Sequence, residues 1–334
     1  MESVDVRGRF VWHQLATRDV PGARKFYSKL IGWNPQPWPL DPTYIVCHSE
    51  AGPVAGMMQL PPEAPANLPA HWLTYIGTRD VDAIAEAAAR AGGSIIKAPS
   101  EMKGAGRYAL LTDPQGAMFA IIDPENARPE HIGIPRLGTF SWHELATTDN
   151  EAAFSFYSQL FGWDAITRMD MGSNGVYLVF GTHGVQRGGM YIKPPGWPAP
   201  PNWLPYAHVP DADRGFELAT SIGAKELMAP MTVPGGSRIA SFTDPGGAAV
   251  AIHSMPVVEP KIAKKPGARV KPKSQTKAKS RTKSRIKPRM KAKARVKYRK
   301  VAPKRSALKG RKSSPPKTKS KKTKMKTKMK RKKK

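Results

Sequence analysis

Short stretches of period two and period near 3.6 follow one another along this chain in an order that repeats. Phe10–Thr17 reads as a strand, and Asp19 stands where a helix N-cap belongs. Phe26, Tyr27 and Leu30 then share one helical face before Gly32 stops the helix. Tyr44–His48 and Val54–Leu60 read as further strands. The order restarts with a strand at Trp72–Gly77, Asp80 as cap, an Ala-rich helix to Arg90 and a stop at Gly92-Gly93. Strands at Ser94–Lys97, Arg107–Thr112 and Ala117–Ile122 follow, with a turn at Asp113-Pro114-Gln115-Gly116. The pattern predicts two β-α-β-β-β units. Each unit leaves one sheet face uncovered, so units must pair.

The whole arrangement then recurs. Phe10-Val-Trp-His-Gln-Leu-Ala-Thr-Arg-Asp19 returns as Phe140-Ser-Trp-His-Glu-Leu-Ala-Thr-Thr-Asp149, offset by 130, and Phe26-Tyr27 and Gly32-Trp33 return as Phe156-Tyr157 and Gly162-Trp163. Trp72-Leu73 matches Trp203-Leu204, and Asp113-Pro114 matches Asp244-Pro245, now at 131. The expected organisation is an α+β protein: one copy over 7–123, a linker over 124–136, a second copy over 137–255 and a tail over 256–334. The copies should pack about a pseudo-two-fold axis within a monomer.

Charge separates the tail from the rest. The chain carries 55 Lys+Arg against 25 Asp+Glu, a formal +30, yet 36 of the bases lie between Lys261 and Lys334, after the last carboxylate side chain at Glu259. Residues 1–260 therefore sum to −6. A segment whose one aromatic is Tyr298 cannot offset the entropy of ordering, so the tail is expected to be disordered when free. Lys261, Lys264, Lys265, Arg269, Lys271 and Lys273, and the closing Lys330-Arg331-Lys332-Lys333-Lys334, suit neutralisation of phosphates on DNA or RNA without base reading. The composition resembles the basic tails of linker histones and bacterial histone-like proteins. Cys47 is the only cysteine, which excludes an intrachain disulfide and any multi-cysteine metal site. The start does not read as a secretory signal, and no run of 18 apolar residues is present to span a membrane. Cytoplasmic location, with nucleoid association through the tail, is the expectation.

The repeated Trp12-His13-Gln14-Leu15 and Trp142-His143-Glu144-Leu145, each followed by a Phe-Tyr helix and an Asp-Pro-x-Gly turn, resemble the vicinal oxygen chelate superfamily. That superfamily includes glyoxalase I, extradiol dioxygenases and bleomycin resistance proteins, and the likeness is to its two-copy glyoxalase-like members. The resemblance covers residues 7–255. It implies tandem domains with a cup in each, and a metal held from the first strand, the fifth strand and the last strand. The positions so implied are Trp12, Trp72 and Ala120 in one copy, and Trp142, Trp203 and Ala251 in the other. None offers an oxygen or imidazole nitrogen, so no cofactor is predicted, a divalent metal being the alternative.

Strand alternation sends Trp12, Gln14 and Ala16, and Trp142, Glu144 and Ala146, towards the cups, and His13 to the opposite face, packed beneath the helix in a local hydrogen bond; a ligand or catalytic role is the alternative if the register slips. The ligand-binding candidates are Trp12, Gln14, Trp72, Trp142 and Trp203, with Arg107 and Arg238 placed to hold an anionic group. Glu144, with His253 on the closing strand as partner, is the candidate for proton transfer; Gln14 cannot act as a base. Three functions remain open: a binding protein for a small metabolite in a Trp-lined cup, a lyase, isomerase or hydrolase using Glu144, and a nucleic-acid-associated structural protein.

Overall fold

The computed structural model describes residues 4–256. The tail, its expected disorder and its candidate phosphate contacts lie outside the described residues. The first copy runs β1 (Phe10–Thr17), α1 (Val20–Ile31), β2 (Asn34–Trp38), β3 (Asp41–Ser49), β4 (Gly52–Gln59), then β5 (His71–Gly77), α2 (Val81–Arg90), β6 (Ser94–Met102), β7 (Gly106–Thr112) and β8 (Met118–Pro124). The second runs β9 (Phe140–Thr147), α3 (Asn150–Phe161), β10 (Asp164–Asp170), β11 (Val176–Thr182), β12 (Val185–Ile192), then β13 (Asn202–His208), α4 (Ala212–Ser221), β14 (Lys225–Thr232), β15 (Arg238–Thr243) and β16 (Ala249–Ser254). Tandem α+β domains are what the chain folds into.

Local chemistry accounts for the elements. The Asp19 carboxylate accepts the Gly22 N–H and Gly32 closes α1 in the left-handed region, burying Ala23, Phe26, Tyr27 and Leu30; Asp149 and Gly162 do the same for α3. Two strands escape the alternation pattern. One is β2, with Pro35 and Pro37, which lies at a sheet edge where a missing N–H is tolerated; the other is β10, at the equivalent edge. Strand β6 also runs on to Met102, through two irregularities in its pairing with β7.

Each copy is one eight-stranded sheet, ordered β2-β3-β4-β1-β5-β8-β7-β6 and β10-β11-β12-β9-β13-β16-β15-β14. The cores, however, are not divided by copy. One joins Leu15, Phe26, Tyr27, Trp33, Met57 and Trp72 of the first copy to Ala212, Ala219, Phe242, Val250 and Ile252 of the second. The other joins Ile76, Val81, Leu111, Phe119 and Ile121 to Leu145, Phe156, Tyr157, Trp163 and Trp203. The first unit of each copy thus buries its helix against the second unit of the other.

Matched polar bonds cross the same junction. Trp72 Nε1 donates to Tyr27 OH at 2.9 Å, which donates to Asp244 Oδ2 at 2.9 Å; Trp203 Nε1 donates to Tyr157 OH at 3.0 Å, which donates to Asp113 Oδ2 at 3.2 Å. Trp33 Nε1 reaches the Gly138 carbonyl at 2.7 Å and Trp163 Nε1 the Gly8 carbonyl at 2.8 Å. At the centre His13 Nε2 meets His143 Nε2 at 2.7 Å, and Phe140 and Phe10 lie against His13 and His143 respectively. The expected local hydrogen bond of His13 is corrected here, because its partner is 130 residues away in the other copy. His143 Nδ1 lies 3.2 Å from the Arg187 carbonyl, which accepts only if Nδ1 carries the proton. His143 Nε2 is then the acceptor and His13 Nε2 the donor.

Burial holds both imidazoles below the usual histidine range, His143 at about 3. The unfolded chain therefore binds more protons than the native one below about pH 6.5, and stability is lost as pH falls from there towards the folded values. Two such groups give a slope of up to about 2.7 kcal/mol per pH unit. The double substitution His13→Gln, His143→Gln should flatten the fall in urea midpoint between pH 6.5 and 4.5. An unchanged acid slope would show that other groups set it.

Candidate functional site

The sheet faces turned away from the shared cores carry the polar residues of interest. In β1 a bulge between Phe10 and Trp12 lets Phe10 reach the core while Val11 and Trp12 pack on the opposite face with Leu73, Tyr75, Tyr108 and Ile122. Trp12 Nε1 donates to Tyr44 OH at 2.9 Å, and the hydroxyls of Tyr44 and Tyr75 donate to Gln14 Oε1 at 3.3 and 3.1 Å. The Gln14 amide nitrogen faces Met58 Sδ at 3.0 Å, a weak acceptor. Strand β4 sits beside β1 with Gly56 opposite Gln14, and a Cβ on Gly56 would overlap the Tyr44 hydroxyl. Glycine is thus what admits the tyrosine to the floor of the cup.

Above this floor opens a cavity of about 460 Å³. Its walls include Trp12, Trp38, Tyr44 and Tyr75, and its mouth is edged by the loop at Gly104-Ala105 and by the linker at Asn126–Arg128. Aromatic walls with a few polar groups at one end are the ordinary make-up of a small-molecule site.

The second copy repeats the floor with one change of chemistry. Trp142 Nε1 donates to Tyr177 OH at 3.0 Å, Tyr177 OH donates to Glu144 Oε1 at 2.7 Å, and Tyr206 OH donates to Glu144 Oε2 at 2.6 Å. Gly189, opposite Glu144 on β12, makes room for Tyr177 as Gly56 does for Tyr44. Burial raises the Glu144 carboxyl above the usual carboxylate range, with the two tyrosine hydroxyls opposing the rise. The tyrosines are pushed well above the usual phenol range by burial and by the neighbouring Glu144.

Several expected site residues stand elsewhere. Trp72 and Trp203 pair across the sheet with Leu15 and Leu145, which places them on the core face, buried and bonded to Tyr27 and Tyr157. Arg107 shares the face of Ala109 and Leu111 on β7, where its Nε donates to Asp82 Oδ2 at 2.6 Å and its Nη1 to Glu101 Oε1 at 3.1 Å. Arg238 is held in the same way by Asp213 of α4, with Nε to Oδ2 at 2.9 Å. These arginines tie a strand to the first turn of a helix and do not line the cavity.

Nor are Glu144 and His253 brought together. On β13, Leu204 lies opposite Glu144 and His208 opposite His253, four residues apart, or about 13 Å at strand rise. His253 Nδ1 is instead 2.9 Å from Ser141 Oγ, and burial, helped by nearby His208, lowers it to about 4. Trp12 and Gln14 line the cavity of the first copy, and Trp142 and Glu144 occupy the equivalent positions in the second. What the sequence reading missed is the tyrosine pair at each floor, Tyr44 and Tyr75 or Tyr177 and Tyr206. Their recurrence between the copies, together with Gly56 and Gly189, was the available signal.

The donor set does not fit a chelated metal. Trp12 and Trp72 offer indole N–H groups already donated to tyrosines, and Ala120 is buried against Tyr75 and Tyr108. Among the described residues no group of three or more His, Cys, Asp or Glu is gathered to hold an ion.

The profile of the Glyoxalase/Bleomycin resistance protein/Dioxygenase superfamily matches residues 9–121 and 135–252. The chain is 32% identical over 244 residues to "Putative glyoxylase CFP32" of Mycobacterium bovis, covering 71% of this chain and 91% of that protein. It is 30% identical over 274 residues to the anthracycline biosynthesis protein DauV of Streptomyces sp. (strain C5), covering 77% and 96%. The Mn(II)-bound glyoxalase from Novosphingobium aromaticivorans shares the fold, with a TM-score of 0.55 at 15% identity over 74% of this chain and 82% of that one.

The first copy shows that this floor accepts an amide, so Glu144→Gln should fold normally. A carboxyl raised in the folded state costs stability wherever the unfolded carboxyl is ionised. The variant should therefore be more stable than the parent by on the order of 1 kcal/mol at pH 8, the gap closing below the unfolded carboxylate range. Thermal melts at pH 8 and pH 4 check this; a less stable variant at pH 8 would mean the charged hydrogen bonds outweigh burial.

Proposed function

The chain belongs to the Glyoxalase/Bleomycin resistance protein/Dioxygenase superfamily, and from that premise we propose that its first cup binds a small planar aromatic metabolite without a chelated metal. The observation that carries this reading is the cavity of about 460 Å³ walled by Trp12, Trp38, Tyr44 and Tyr75 over the Gln14 floor. Flat aromatic ligands gain from offset or edge-on contact with such rings. A relative named for anthracycline biosynthesis agrees with this class, since anthracyclines are polycyclic aromatics.

The tail adds a second activity to the proposal. Its 36 bases without a carboxylate side chain suit non-specific attachment to DNA or another polyanion, which would fix where the cup is held. A resemblance to histone-like tails supports that reading by composition alone.

Proton transfer by Glu144 is the second reading, favoured by the raised carboxyl beside Tyr177 and Tyr206. Both carboxylate oxygens already accept tyrosine hydroxyls, which favours a role in holding a ligand donor over that of a base.

Two measurements test these assignments. Calorimetric titration with 2-naphthamide should show saturable binding that weakens roughly three- to tenfold in Trp38→Ala, as loss of one aromatic wall implies. No binding would remove the aromatic-cup reading. Binding of duplex DNA by the full chain should fall by roughly 10³–10⁵ between 50 and 200 mM salt if six to ten phosphates are engaged. It should be lost in a chain ending at Pro260; retained binding there would place the anion site in the folded body.

A further inference from the structure

The charge around the first cup is one-sided. Arg9, His48 and Arg128 line the cavity, and no Asp or Glu does. Arg9 is already engaged: it donates to the Asp5 carbonyl at 2.8 Å and the Arg128 carbonyl at 3.0 Å, with Glu130 Oε2 at 3.9 Å. Glu130 is committed chiefly to Arg187, whose guanidinium holds both of its oxygens. Arg128 is different. It is exposed, makes no ion pair among the described residues, and its Nη1 lies over the bare backbone of Gly52 at the start of β4. His48 on β3 pairs with Pro53 on β4, next to Gly52, and its buried Nδ1 has no hydrogen-bond partner among the described residues.

Gln14 also lines the cavity, and its amide nitrogen has only a thioether as partner, so it remains available to a ligand oxygen. The second copy is unsuited to the same ligand, because a carboxyl stands at its floor. A buried anion near Glu144 would meet like charge, whereas one in the first cup meets an unpaired guanidinium.

We propose that the ligand of the first cup is an aromatic carboxylate, or a planar aromatic with an equivalent anionic group, whose charge is bound at the mouth by Arg128 beside His48. This rests on the aromatic-cup reading and adds to it the ligand's charge and orientation. The ring lies between Trp12 and Trp38 and the anion points to the linker. Arg128 acts as a charge-assisted donor at a partly wet site, where its contribution should be moderate.

The test compares 2-naphthoate with its neutral isostere 2-naphthamide on the full chain at 150 mM salt by calorimetry. The expected result is roughly five- to tenfold tighter binding of the naphthoate. Arg128→Ala should bring naphthoate to the affinity of the amide, while Arg128→Lys should keep most of the difference. The basic tail is the same in parent and variant, so the part of the gap that Arg128→Ala removes reports Arg128 and not the tail. Equal affinities in the parent, or a gap that survives Arg128→Ala, would overturn the proposal while leaving the aromatic cup intact. Failure of both probes to bind would remove the aromatic cup and this inference with it.

Discussion

The buried contact between His13 and His143 is the constraint on which the rest of the fold turns. Two imidazole nitrogens 2.7 Å apart can share one proton and no more, so one ring donates and the other accepts, and burial keeps the pair neutral. That requirement is met only when both copies are present and aligned to within a hydrogen-bond length. The same alignment brings Tyr27 to Asp244 and Tyr157 to Asp113, and each carboxylate in turn ties down its own turn through the Ala248 or Ala117 N–H. A buried polar group left without its partner costs about 1–3 kcal/mol, so these bonds penalise any displaced packing more than they stabilise the native one. Sheet register and helix placement are consequently specified together across the duplication.

This explains why the most conspicuous repeated residues are not the site. Phe10, His13, Tyr27, Trp33, Trp72 and Asp113, with their equivalents, are spent on joining the copies. A strand has two faces, and the face that meets the other copy takes Phe10, His13 and Leu15, leaving Trp12 and Gln14 for the cup. The β1 side of the cavity is therefore lined largely from positions that alternate with the repeated core residues. There the copies are free to diverge, as Gln14 against Glu144 and Val11 against Ser141 show.

Much of the architecture was legible in the residue pattern, and the parts that were not share a physical cause. Local signals with local partners read correctly, as Asp19 and Gly32 do at the two ends of α1. The expectation failed where the partner is remote. Trp72 opens a strand at a position that the family resemblance associates with the cup, but its register opposite Leu15 sends it to the core, and no local feature encodes that register. Tyr44 and Tyr75 sit on separate strands and converge on Gln14 only through sheet order. Arg107 looked free because Asp82 is 25 residues away on a helix. The β2 strand escaped because Pro35 and Pro37 are poor strand formers anywhere except at an edge.

Duplication also bears on how two cups in one chain come to differ in charge. An aromatic floor of Trp and two Tyr hydroxyls converging on one oxygen-bearing side chain tolerates either an amide or a carboxyl, since both can accept two hydrogen bonds. Exchange at that single position replaces an amide that still has N–H groups to donate with a carboxylate that only accepts, without disturbing the junction on the other face of the strand. The linker reinforces the asymmetry, because the chain crosses from one copy to the next only once. It brings Arg128 to the mouth of the first cup while Glu130 is drawn off to Arg187 of the second copy. A single connecting segment cannot serve both cups alike, so a tandem chain departs from equivalence at its linker even where its cores remain matched.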